Sequence, residues 1–70
     1  MINKTMKPHY ETEFHALIAE LDAEIADNEA AIAEILPDGR YMEANNYSIY
    51  NLALEEAVIR IETALANLKN

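Results

Sequence analysis

The sequence predicts an all-α fold: an antiparallel two-helix hairpin of coiled-coil type that dimerises into a four-helix bundle. Three observations lead there. One glycine and two prolines in 70 residues, with alanine abundant, favour helix throughout. Each half of the chain carries a seven-residue apolar repeat. Between the halves stands Pro37-Asp38-Gly39, a turn signal that lets the second half fold back on the first.

The first helix is expected over about residues 8–36. Residues 12–36 read as successive sevens, TEFHALI, AELDAEI, ADNEAAI and AEIL. Ile18, Ile25 and Ile32 fill one column of the repeat, and Phe14, Leu21, Asn28 and Ile35 the other seam column. A third column is acidic throughout, Glu13, Glu20, Asp27 and Glu34, and a fourth is small, Thr12, Ala19, Ala26 and Ala33. Pro8 suits a first helical turn, and Pro37 stops the helix.

The turn is expected at 37–39 and the second helix at about 40–69. Asp38 is a cap candidate for that helix, with Asn45 or Asn46 taking the role if residues 40–45 stay irregular. Asn51, Val58 and Leu65 form one seam column, and Tyr47, Leu54, Ile61 and Leu68 the other. Lys69 lies in the last turn, where a cation complements the helix dipole.

Folding the halves together fixes a register. In an antiparallel pair, facing residues have a constant sum of residue numbers. Ile25 with Leu54, Leu21 with Val58, Ile18 with Ile61, Phe14 with Leu65 and Ile32 with Tyr47 all sum to 79. So do Asn28 and Asn51, the two polar breaks in the middle of the seam. They are read as a buried polar pair that specifies register at some cost in stability. The alternative places both asparagines in solvent.

Apolar residues also occur off the seam: Ile49, Leu52 and Ile59, with Ala53 and Ala66, on the second helix, and Tyr10 and Leu17 beside the seam on the first. A helix with more than one apolar stripe has more than one neighbour. A homodimer or a hetero-complex is therefore expected to cover Leu52, Ile59 and Ile49. Scattered exposure is the bland alternative.

Seventy residues make one domain, 1–70, with a small core. No cysteine is present, so disulfides and thiolate metal sites are excluded. No apolar run reaches the ~20 residues that span a bilayer. The segment MINKTMKPHYETE has no apolar core of a signal peptide. A cytoplasmic location is expected, with no membrane partner. The net charge of -8 argues against direct binding of nucleic acid and favours a protein partner with a basic patch.

Catalytic chemistry has no visible constellation. Ser48 is the only serine, and no base is placed to activate it. Carboxylates are many, yet a thin hairpin has no cleft to raise the pKa of one. No glycine-rich phosphate cradle occurs. His9 with Glu13 and Glu11 with His15 have ligand-like spacing on a helix, but the second helix offers neither histidine nor cysteine, and the Glu-x-x-His pairs of di-iron bundles are missing. No enzyme activity, metal or cofactor is expected.

Two surfaces are candidates for recognition. Residues 8–39 contain nine acids and no lysine or arginine. The column with Glu20, Asp27 and Glu34 repeats every roughly 10.5 Å along the helix. It is either a solvated face or a docking face for a basic protein, in the second case as an acidic competitor that mimics nucleic acid. The second surface is the tip, Arg40-Tyr41-Met42 with Asn45 beside it; tyrosine and arginine are frequent binding hot spots.

In architecture the chain resembles the plasmid copy-number regulator that dimerises into a four-helix bundle. It also resembles the hairpin co-chaperones of type III secretion needle subunits, through its Pro-to-Tyr turn and Ala-rich second helix. In size and acidity it is similar to small phage-encoded inhibitors of host proteins. The copy-number regulator binds RNA through basic residues that this chain lacks, so no functional residue is carried over. The expected function is a non-enzymatic interaction module that regulates, inhibits or chaperones a partner protein.

Overall fold

A computed structural model describes the backbone of residues 2–69 and the side chains of residues 10–68. Helix α1 spans Ile2–Ile35, a single 3-10 turn covers Leu36–Asp38, and helix α2 spans Tyr41–Lys69. The helices pack antiparallel along one seam in a rod of 58 × 15 × 11 Å. Its radius of gyration is 16.5 Å, against about 11 Å for a compact domain of this length. The fold is one layer of two helices, so most residues keep a solvent-facing side.

The elements differ from the sequence expectation at three places. Helix α1 begins at Ile2 and runs through Pro8 instead of starting there. Residues 2–7 contain neither glycine nor proline, and the one N–H missing at Pro8 does not end a helix already propagating on both sides. At the other end α1 stops at Ile35, because Pro37 disfavours α geometry at Leu36. The turn therefore takes in residues 36–40, and α2 starts at Tyr41.

The turn closes as a Schellman motif. Gly39 has φ 76°, a left-handed conformation strained for any residue with a Cβ. Its N–H donates to the Leu36 carbonyl at 2.9 Å, and the Arg40 N–H donates to the Ile35 carbonyl at 3.4 Å. The first bond of α2 then runs from the Ala44 N–H to the Arg40 carbonyl at 3.1 Å. Arg40, not Asp38, therefore occupies the N-cap position; Asp38 is held in the 3-10 turn, too far back to cap α2. One residue thus ends the first motif and opens the second helix, giving a tight reversal.

The seam follows the heptads except at two expected positions of α2: Tyr47, near the turn, and Leu68, in the last turn, are exposed. Buried positions are Ile35 on α1 and Ala44, Asn51, Leu54, Val58 and Leu65 on α2. Phe14, Ile18, Leu21, Ile25 and Ile32 complete the α1 side and are half-buried. Ile35 and Ala44, both buried, extend the sum of 79 by one layer toward the turn, a small residue opposite a large one.

Candidate interaction surface

The middle of the seam is polar. Asn28 Nδ2 donates to Asn51 Oδ1 at 2.9 Å, and Asn51 Nδ2 donates to the Ile25 carbonyl at 3.2 Å. Asn51 is 6% exposed, so its amide depends on these bonds in place of water. A slip of either helix by one seam layer would set both asparagines against apolar residues and leave their amides unpaired. Beside this layer the Tyr50 hydroxyl donates to Glu24 Oε2 at 3.0 Å, tying the flanks of the two helices.

A second heptad stripe runs along the outer face of α2. Met42, Asn45, Ile49, Leu52, Glu56 and Ile59 follow one another at alternating spacings of three and four, and all are exposed. The large apolar members are 84% (Met42), 57% (Ile49), 65% (Leu52) and 60% (Ile59) exposed. Met42, expected with the tip at the turn, stands seven residues before Ile49 and is the first member of this stripe. Leu52 and Ile59 also border two shallow grooves that reach back to the seam. One is lined with Glu29, Ile32, Asn51 and Glu55, and the other with Asp22, Ile25, Glu55 and Val58.

At the tip, Arg40 forms a two-pronged ion pair with Glu43, Nε to Oε1 at 2.7 Å and Nη2 to Oε2 at 2.5 Å. The hydrogen bond and the charge of Glu43 raise the Arg40 pKa, and Arg40 lowers that of Glu43. The guanidinium is thus committed within α2's first turn. Tyr41 is 69% exposed beside it. On the other side of α2 an open groove of about 340 Å³ is lined by Glu43, Asn46, Tyr47 and Tyr50.

The outer face of α1 is of another kind. Glu20, Asp27 and Glu34 are exposed, and between them and the carboxylates of Asp22 and Glu29 runs a line of exposed alanines: Ala16, Ala19, Ala23, Ala26, Ala30 and Ala33. The heptad frame singles out only Ala19, Ala26 and Ala33; joining them to Ala16, Ala23 and Ala30 at spacings of three and four recovers the line. It presents almost no large apolar surface.

Among the described residues, no group of three or more histidine, aspartate or glutamate side chains is gathered as a metal site. His15 is exposed, and the His9 side chain lies outside the described residues. Among the described residues no helix is long and apolar enough to cross a membrane. No protein-family model matches the chain, and no curated protein or solved structure is similar to it.

Proposed function

We propose that this chain is a non-enzymatic protein-interaction module, a helical hairpin that docks a helical partner on the outer face of α2. The observation that carries the reading is the stripe Met42, Ile49, Leu52 and Ile59, four large apolar side chains at heptad spacing, each more than half exposed. Scattered surface apolars do not repeat with the helix period over this length.

The surface area supports the same reading. The chain exposes 5443 Å², while a compact monomer of 7.9 kDa exposes about 4,400 Å². The excess is on the order of 1,000 Å², close to the ~800 Å² per partner of a standard interface. Burying the exposed parts of the four apolar side chains yields roughly 4–8 kcal/mol. Association costs an estimated 4–15 kcal/mol. One stripe is therefore not enough, and the partner supplies an apolar stripe of its own.

Regulation, inhibition or chaperoning of that partner would follow from covering one of its apolar helix faces. The acidic outer face of α1 then serves as the solvated side of the complex.

The test is photo-crosslinking in the organism that encodes the chain, with a benzophenone amino acid in place of Leu52 or, as a control, Ala23. A discrete adduct from position 52, and little from 23, is expected. Absence of any protein adduct at position 52 would remove the reading.

A further inference from the structure

We infer that the occupant of α2's outer stripe is a second copy of this chain, docked as an antiparallel α2–α2 pair about a two-fold axis between Ile49 and Leu52. This rests on the interaction-module reading and names its partner.

The stripe is complementary to itself in one register. Pairing residues whose numbers sum to 101 sets Met42 against Ile59 of the second copy and Ile49 against its Leu52. By symmetry all four large apolar side chains are then matched with one another. The two polar members, Asn45 and Glu56, face each other across the same axis, so an amide donor meets a carboxylate. The seam inside the hairpin also places its polar pair, Asn28 and Asn51, in one shared layer.

The flanks distinguish this register from its neighbour. With the sum of 101, Ser48 lies beside Glu55, Tyr41 beside Glu62, and Asn46 beside Ala53, with no like charges opposed. Sliding by one heptad to 108 sets Leu52 against Glu56 and brings Glu55 beside its own copy. That buries a carboxylate against an apolar side chain and opposes two negative charges.

Charge is also segregated to allow it. Nine acids and no lysine or arginine lie in residues 8–39, whereas residues 40–69 carry four acids and three bases. A chain with net charge -8 repels its copy in most orientations. Contact through α2 leaves the two α1 helices, and the acids on them, on the far sides of the dimer. The interface is isologous and closes on itself, so it makes a dimer and no larger array.

The experiment is sedimentation equilibrium on the full chain, followed by mapping of the register. The expected mass is twice the 7.9 kDa of one chain. Leu52→Glu and, separately, Ile49→Glu are expected to weaken self-association at least about tenfold, with helix content by circular dichroism unchanged, since both positions are exposed in the hairpin. The chain has no cysteine of its own, which makes disulfide mapping clean. Under a thiol redox buffer, a mixture of Asn46→Cys and Ala53→Cys chains is expected to link across the two variants, and neither alone. Linking of Ala53→Cys to itself overturns the register. A single-chain mass at all concentrations, or a position-52 photo-adduct with a different protein only, overturns the second copy while the interaction-module reading stands.

Discussion

Helix α2 carries two stripes of the same period and opposite fates. The inner one, through Ala44, Asn51, Leu54, Val58 and Leu65, is buried against α1. The outer one, through Met42, Ile49, Leu52 and Ile59, faces solvent. Composition does not separate them; each is mostly aliphatic, and each has one asparagine among its first members. The difference lies in α1. It has one stripe of large apolar residues, and its other side is alanine and carboxylate. One stripe can cover one stripe. Periodicity thus reveals that a face wants a neighbour, and only counting faces on both helices shows that one is left over.

The largest expected effect tests that asymmetry directly. Leu54→Ala removes a side chain that is 8% exposed, and should cost about 2–4 kcal/mol through lost burial and a residual cavity. Leu52→Ala, two positions away, should cost within ~0.5 kcal/mol when measured below the concentration at which chains associate. Urea unfolding followed by circular dichroism gives both values. Equal losses would mean that the outer stripe is already covered within one hairpin, and the comparison would collapse.

The polar layers sharpen it next. Asn51→Ala leaves the Asn28 amide and the Ile25 carbonyl without their partner, at a cost of roughly 1–3 kcal/mol. Asn45→Ala, on the exposed stripe, should be near neutral in the single hairpin. Replacing both Asn28 and Asn51 by leucine should stabilise the hairpin while loosening its register or oligomeric state. Thermal melts give the first quantity and sedimentation the second. A double-leucine chain that is less stable than the parent would show that the amide pair contributes more than an apolar layer in its place.

The fold was largely legible because a two-helix hairpin is almost all pattern. The heptads set the seam faces, and the constant sum of 79 follows from aligning them, down to the meeting of Asn28 with Asn51. The helix ends were less legible. Pro8 looks like a start, but a proline within a helix removes one N–H donor without always ending it, and α1 runs through it from Ile2. Asp38 looks like a cap; the Schellman closure at Gly39 uses up the residues between it and α2, and Arg40 takes the position. The outer stripe was visible at Leu52, Ile59 and Ile49. Met42 was hidden because it sits in the first turn of α2, beside tyrosine and arginine that suggested a binding tip. The ion pair of Arg40 with Glu43 was missed although its signal is in the sequence: the two stand three residues apart, a spacing that brings side chains together on a helix.

The smallest expected effect concerns what holds each stripe at its edge. The inner seam is flanked by a bond between helices, Tyr50 to Glu24, whereas Arg60 beside the outer stripe bonds within α2, to Glu56 at 2.9 Å. The hydrogen bond to Glu24, then its negative charge, raises the Tyr50 pKa. A raised value means the folded chain holds that proton more tightly than the unfolded one. The stability gained is therefore fully present below the ordinary tyrosine pKa of ~10 and is lost as pH rises through the higher folded value. Tyr50→Phe should lower the urea midpoint slightly at neutral pH, since an exposed bond contributes little. The gap between parent and variant should then close in strongly alkaline solution. Taking the difference between the two proteins removes the contribution of the other three tyrosines. If the gap stays constant through the alkaline range, the hydroxyl is not what Tyr50 contributes. The edge of the inner seam would then rest on the covered half of the ring, the kind of contact that the outer stripe can gain only from another chain.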